Sequence, residues 1–462
     1  MFTLEHFQQA RLSRDPRFDG RFFVAVKSTG IFCRPICPAN LPQEKNVEYF
    51  SIAQQAMAAG YRPCLRCRPD SAPQSCAWQG VNTTVERGLK LLRGNLHLNI
   101  NDIADKLGVT DRYLRQLFRK KLGISPKQFQ LYEQVLFAKQ LLHQTHLCID
   151  DVANASGFND ARRLQYNIKR VTSLTPRQIR QSPKADEQVL NITLAYRPPY
   201  NWPHLRDFLA KRAIPSMEWV TQDSYARNFT YHGCHGYFHA QHQPDKQCFT
   251  LKLSLQRVDE LKPVLENIKR ILDLDADPML IEQRLIHSGL ADSSYVPGIR
   301  IPGIWDTFEA GCRAIVGQQI SVSAAVKLVR RLVDTLGQQS CDVKPALTGT
   351  EEQNVTRYFP APEQVAKSDL AFLGMPQQRR DTLRRLAEFY QHQPHDIPDQ
   401  WLSLKGIGPW TIAYAKMRGL SDPDIWLGTD LVIKKQLAMH GIDTEITRPW
   451  RSYLTFTLWS MA

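Results

Sequence analysis

Two short cysteine pairs constrain the first part of this chain more than any other feature. Cys33 and Cys37 stand in "GIFCRPICP", and Cys64 and Cys67 stand in "RPCLRCRPD". The C-x3-C and C-x2-C spacings, separated by a segment that reads as a strand and then a helix, match a closed tetrahedral site for Zn²⁺, one ion per chain. On spacing alone, a zinc that merely holds a small domain together is the ordinary expectation.

The rest of the chain gives no sign of an oxidising compartment. The N-terminus "MFTLEHFQQARLSRDPRF" lacks the basic, apolar, small-residue order of a signal peptide, and no apolar run approaches the roughly 18–20 residues of a membrane span. We therefore expect a cytoplasmic, nucleoid-associated protein without membrane contact. There, ten cysteines argue for metal binding, chemistry or burial before disulfides. Cys76, Cys148, Cys234, Cys248, Cys312 and Cys341 show no paired spacing and read as buried or incidental.

A chain of 462 residues exceeds what one hydrophobic core usually serves. Its charge is unevenly spread: residues 1–180 hold 27 Lys+Arg against 14 Asp+Glu, whereas 181–462 hold 32 against 31. An excess confined to the first part reads as an electrostatic footprint for nucleic acid, with a merely solvated basic surface as the competing explanation.

An internal repeat sharpens that choice. "INDIADKLGVTDRYLRQLFRKKLGISPKQF" is echoed by "IDDVANASGFNDARRLQYNIKRVTSLTPRQI". Each copy reads helix, glycine turn, helix, then a Ser-Pro or Thr-Pro helix start, which is helix-turn-helix spacing. Ala104 and Ala153 allow close helix approach, and Gly108 and Gly157 suit the turns. The second helices, from about Asp111 to Lys121 and Asp160 to Arg170, offer Arg112, Arg115, Arg119, Arg162, Arg163 and Lys169 to a major groove of double-stranded DNA.

These signals divide the chain into a cysteine domain at 1–76, a helical domain at 82–180 and a linker at 181–189. "LNITLAYRPPY" and "CFTLKLSLQRV" predict strands within a β-rich part at 190–285, and 286–462 is mostly helical. The fold class is thus multidomain α+β. It combines a small four-cysteine zinc domain, an all-α tandem helix-turn-helix domain, a β-rich subdomain and an α-helical helix-hairpin-helix domain.

"DPRFDGRFFVAVKSTGIFCRPICPA" with "AAGYRPCLRCRPD" closely resembles the N-terminal domain of the Ada family of methylation-response proteins. The resemblance implies that Cys33 is a zinc ligand together with Cys37, Cys64 and Cys67. It also implies that Cys33 accepts a methyl group from DNA methylphosphotriesters, which would be a suicidal methyltransferase activity. Zinc keeps sulfur deprotonated, and the thiolate is the nucleophile. Four thiolates on Zn²⁺ carry −2, and methylating one leaves −1, so methylation should tighten binding to phosphate. Arg34, Arg62, Arg66 and Arg68 are interleaved with the ligands to make such contacts. The repeat resembles the DNA-binding domain of AraC-type activators, with Ser173 where that family usually has glycine. That likeness implies promoter sequences as targets, and RNA polymerase is the expected partner of an activator there.

Near the other end, "LSLKGIGPWTIAYAKMRGLSDPDIWLGTDLVIKK" predicts a helix stopping at Gly406, Ile407 and Gly408 and another starting at Pro409. The backbone N–H groups of such a hairpin can hold a DNA phosphate without reading bases. Asp430 opens the helix that follows, as an N-cap or as a catalytic carboxylate. From about residue 190 onward the chain resembles AlkA-type 3-methyladenine DNA glycosylases, through "LAYRPPYNW", "FEAGCRAIVGQQISV" and "PWRSYLTFTLW". The resemblance implies that Asp430 stabilises the oxocarbenium-like sugar of a flipped alkylated nucleotide. It further implies that Trp410, Tyr414, Trp459 and Phe208 form an aromatic pocket for the cationic base. Gln319 falls where the family inserts an apolar wedge into the base stack. Trp410 occupies the place of the lysine used by strand-cutting relatives, so a monofunctional DNA-3-methyladenine glycosylase II is expected.

Three readings follow. One is an alkylation-response protein that is both glycosylase and methylation-switched activator. The second is a glycosylase carrying a structural zinc domain and a DNA-binding extension. The third is a transcription factor with an inactive glycosylase-like sensor.

Overall fold

The computed structural model describes residues 4–14, 22–50, 53–64, 67, 69, 81–180, 189–290, 295–340, 356–392 and 398–461. Arg66, Arg68, Cys76 and Cys341 lie outside the described residues. The chain packs as two compact units, Met1–Glu133 and Gln134–Ala462.

In the first unit, the alternating sequence around Phe23 sends side chains to opposite faces of a small sheet. Its strands are β1 (Phe23–Val26), β2 (Ile31–Cys33), β3 (Val47–Phe50) and β4 (Arg62–Pro63), in the order β3-β1-β2-β4. Phe23, Ala25, Phe32 and Ala56 form one apolar layer, while Phe22 and Val24 pack with Ala10 from the helix Leu4–Ser13. β2 and β4 are parallel, with Ile31 opposite Arg62 and Phe32 opposite Pro63. Parallel strands need a crossover, supplied here by β3 and the helix Ala53–Ala58.

The first helix-turn-helix copy follows, as Ile100–Lys106 and Asp111–Leu122. Ile100, Ile103 and Ala104 meet Leu114, Leu117 and Phe118 in a single cluster. Asn99 and Thr110 cap the two helices by accepting backbone N–H groups. The helix Pro126–Gln144 then runs across the division between the units.

The second copy, in the second unit, is Ile149–Ala155 and Ala161–Thr172, capped by Cys148 and Asp160. Gly108 and Gly157 turn with φ of 67° and 76°, the left-handed conformation their position requires. The departure at Ser173 leaves the fold unaltered. Ser173 closes its helix at φ 61° as Gly123 does at 74°, and each donates its N–H to the carbonyl four residues back.

Beyond residue 189 come β5 (Leu190–Ala195), β6 (Glu218–Val220), β7 (Ser224–Tyr231), β8 (Cys234–Gln243) and β9 (Cys248–Leu255). They form an antiparallel sheet in the order β5-β9-β8-β7-β6. Buried charges tie it to the helix Thr307–Val316: Arg227 reaches Glu309 at 2.8 Å, and Arg313 reaches Glu218 at 2.7 Å. The helices after it surround two apolar clusters that share one helix, Pro409–Gly419. Ile412 and Ala415 join Phe308, Leu386 and Trp401, while Met417 joins Ile433, Tyr453 and Phe456.

The hairpin's first arm is a six-residue 3-10 helix, Pro398–Ser403. So short a segment gains few i→i−4 bonds, and the tighter coil suffices to bury Trp401 completely. Of the two glycines, only Gly406 is left-handed, at φ 98°, whereas Gly408 is extended at φ −105°, ψ 174°. Among the described residues, no helix is long and apolar enough to cross a membrane.

Candidate functional site

The parallel pairing of β2 with β4 explains how the cysteines converge. Cys33 ends β2, Cys64 follows β4, and Cys64 donates its N–H to the Phe32 carbonyl at 3.0 Å. The loops beyond then carry Cys37 and Cys67 to the same end of the sheet. The four sulfurs lie within 4.8 Å of one another. Tetrahedral Zn–S bonds place sulfurs roughly 3.8 Å apart, so the cluster has the size of a zinc site. The Arg34 N–H points at the Cys67 sulfur, 3.4 Å away, and its side chain donates to the Cys67 carbonyl.

The electrostatics also call for a cation. Hydrogen bonds from neighbouring thiols hold Cys37 down to about 2, while the bond to Cys37 pushes the Cys33 thiol far up and crowding pushes Cys67 up to about 12. Thiols this close cannot all carry charge by themselves. A divalent ion lifts that limit, and the donor set is the soft, anionic one Zn²⁺ prefers. A cavity of about 360 Å³ opens onto Cys33, Cys37 and Cys64, with Val24, Ile31 and Leu41 in its walls.

In the second unit, Asp430 takes the N-cap place that the sequence allowed it. It caps the helix Leu431–His440, its Oδ1 accepting from the N–H groups of Val432 at 3.0 Å and Ile433 at 3.3 Å. The same oxygen faces Trp459 Nε1 at 3.4 Å. All three donors converge on Oδ1. Trp459 stands on the helix Arg451–Ser460, and its ring lies nearly parallel to that of Phe208, 14° apart with centroids at 6.5 Å. Trp410 and Tyr414, one turn apart on the hairpin helix, stack at 5.3 Å and 21°. All four rings are half-buried around the same apolar cluster. The four aromatics and Asp430 are thus brought together by four helices, the first of them Trp202–Ala210.

Gly406, Ile407 and Gly408 form the turn that starts the hairpin helix, with Ile407 buried beneath it. Gln319 is exposed and left-handed, at φ 58°, between the helices Thr307–Val316 and Val322–Leu336. Arg112, Arg115, Arg162 and Arg163 are exposed on their helices, and Arg115 is paired with Asp111 at 2.8 Å.

Three residues the sequence reading passed over belong to this site. Gln318 Nε2 lies 3.3 Å from Thr411 Oγ1, tying the loop of Gln319 to the hairpin. Arg212 lies over the Phe208 ring at 3.7 Å, and Arg418 lies over the same ring at 4.8 Å. Both arginines follow an aromatic residue by four positions, Phe208 and Tyr414, and that helical spacing was the available signal. Among the unpaired cysteines, Cys234, Cys248 and Cys312 are buried as expected, while Cys148 is exposed and caps a helix.

Comparison with known proteins finds relatives for each half of the chain. The family models "Metal binding domain of Ada", "Helix-turn-helix domain" and "AlkA N-terminal domain" match residues 6–70, 103–182 and 191–306. The DNA-3-methyladenine glycosylase 2 of Escherichia coli is 33% identical over 58% of this chain and 96% of its own length. The bifunctional transcriptional activator/DNA repair enzyme Ada of the same organism is 32% identical over 37% of this chain and 48% of its own. One relative spans both halves: the "Probable bifunctional transcriptional activator/DNA repair enzyme AlkA" of Mycobacterium tuberculosis, 32% identical over 99% of this chain and 96% of its own. A cysteine cluster of zinc dimensions, a tandem helix-turn-helix and a glycosylase-like half in one chain therefore have a common explanation: the chain belongs to the family of bifunctional AlkA-type transcriptional activator/DNA repair enzymes.

Proposed function

We propose that this chain excises alkylated purines such as 3-methyladenine by hydrolysing the N-glycosidic bond at Asp430, and that methyl transfer from DNA phosphotriesters to Cys33 switches it as a transcriptional activator. The observation that carries the first half is the contact between Trp459 and Asp430, which sets a carboxylate at the rim of a cluster of half-buried rings. A flipped nucleotide can then place its base among Phe208, Trp410, Tyr414 and Trp459 while its sugar meets Asp430. As the C1′–N bond breaks, its electron pair leaves with the base, and the carboxylate stabilises positive charge on the sugar. Water adds its oxygen to C1′ and gives up a proton. The reaction needs no covalent amine. Trp410 stands at the head of the hairpin helix, and Lys416 further along it is paired with Asp399 at 3.0 Å. This supports a monofunctional glycosylase.

Gly406 and Gly408 hold the DNA backbone through their N–H groups, whereas Ile407 donates its own to the Leu404 carbonyl at 3.1 Å and supports the turn from beneath, and Gln319 fills the gap the flipped base leaves. In the other half, Zn²⁺ held by Cys33, Cys37, Cys64 and Cys67 would keep the sulfurs deprotonated. The Cys33 sulfur forms the S–CH₃ bond as the C–O bond of the triester breaks, returning a phosphodiester anion. The site's charge falls from −2 to −1, and Arg34 beside it gains on phosphate. Arg112, Arg115, Arg162 and Arg163 then read promoter DNA, with RNA polymerase as the partner of the activated form.

The experiment is release of free base from methylated duplex DNA by the wild type and by Asp430→Asn, with mass analysis of the peptide carrying Cys33. Base release lost in the variant, and one methyl gained on Cys33 but not on Cys37, Cys64 or Cys67, is the expected result. Release unaffected by Asp430→Asn would overturn the catalytic assignment. An unmodified Cys33 would leave a structural zinc domain on a glycosylase.

A further inference from the structure

The ring of Phe208 carries more positive charge around it than an aromatic wall for a cationic base should. The Arg212 guanidinium lies 3.7 Å from its centroid, and that of Arg418 lies 4.8 Å away. Arg418 is only 3% exposed. Its Nη1 donates to Tyr414 Oη at 2.8 Å and its Nε to the Pro302 carbonyl. Arg212 donates to the Phe208 carbonyl at 3.3 Å. Among the described residues, neither guanidinium has a carboxylate partner. An unpaired cation as buried as Arg418 is costly, so its place beside the pocket, with half-buried Arg212 next to it, asks for a reason. Part of the cost is offset locally, since both arginines sit at the C-terminal ends of helices, Trp202–Ala210 and Pro409–Gly419, where carbonyl dipoles are negative.

The π face of Phe208 attracts cations, and two protein cations already use it. A base that arrives charged therefore gains little from this ring and meets a positive potential. Bond cleavage reverses the argument for a neutral base. The electron pair of the C1′–N bond makes a cationic purine neutral on departure, whereas it makes an uncharged purine an anion until solvent protonates it. Fixed positive charge beside the base lowers the barrier of the second case.

Resting on the glycosylase reading above, we propose that Arg212 and Arg418 are specificity-determining residues that extend the pocket to uncharged lesions by stabilising negative charge on the departing base. They act through and around Phe208, while Asp430 serves both classes of substrate.

The test uses the full zinc-loaded chain and duplexes with one 7-methylguanine, which is cationic, or one hypoxanthine, which is neutral. Single-turnover release is compared for the wild type, Arg212→Met, Arg212→Gln and Arg212→Lys. The two uncharged variants are expected to lower the ratio of hypoxanthine release to 7-methylguanine release about 10-fold, while the lysine variant restores most of the ratio. Thermal melting identifies any variant that has lost its fold, and the remaining one of the two uncharged substitutions decides. A ratio that stays constant across the series would overturn the proposal, as would a wild type that releases only the cationic base. A wild type that releases neither base would instead remove the glycosylase reading beneath it.

Discussion

The cysteine cluster and the aspartate site solve opposite electrostatic problems. Four thiols within 4.8 Å of one another accumulate more negative charge than their surroundings can hold, with Cys33 pushed up as Cys37 is held down. That site depends on charge brought from outside. Asp430 carries one negative charge and meets it with donors built into the fold, the N–H groups of Val432 and Ile433 and the indole of Trp459. The lesson is that, under the function proposed above, one is consumed and one is renewed. A sulfur that keeps its methyl group counts events, whereas a carboxylate that returns to its starting state can act repeatedly.

Removing the metal breaks the comparison most sharply. Chelation of zinc, or Cys64→Ser, should unfold the block around β1–β4, since structural zinc contributes on the order of 10 kcal/mol to such small domains. Base release by the second unit should stay within about 2-fold, as measured on the same sample. Next in size is Asp430→Asn, expected to slow base release roughly 10²–10³-fold while Cys33 methylation proceeds at the wild-type rate. A fall in both activities would show that the two sites are coupled.

How much of this was legible beforehand differs between the sites for physical reasons. The cysteines announced themselves because their spacing is local, and the parallel pairing of β2 with β4 only had to bring two loops together. The hairpin, Asp430 and its aromatic neighbours were legible as motifs, but that the oxygen capping the helix also faces Trp459 comes only from the fold. The 3-10 arm at Pro398–Ser403 was missed because its character comes from burying Trp401, a tertiary demand that local pattern does not carry. Arg212 and Arg418 were missed because long charged side chains normally read as solvated surface. Only the fold shows them turned onto Phe208.

Smaller substitutions sharpen the contrast within the backbone itself. Gly406→Ala forces a side chain to φ 98° with its Cβ 2.1 Å from Thr382 Oγ1. It should destabilise the second unit by about 2 kcal/mol in denaturant titrations and weaken DNA binding. Gly408→Ala meets nothing within 4 Å at an extended φ and should stay within about 0.5 kcal/mol. The smallest effect is a gain. Ser173→Gly relieves a left-handed serine at φ 61° and should stabilise the second helix-turn-helix copy by about 0.5–1 kcal/mol.

The helix Pro409–Gly419 lends residues to both apolar clusters, begins at the turn proposed to hold the DNA backbone, and carries two of the half-buried rings beside Asp430. Its amides should therefore exchange hydrogen only when the whole glycosylase half opens, at the slow limit for that unit. Under the proposed function, freeing a damaged base while the backbone grip persists would mean breaking this helix, so capture and release of a lesion should be a single event, timed by it.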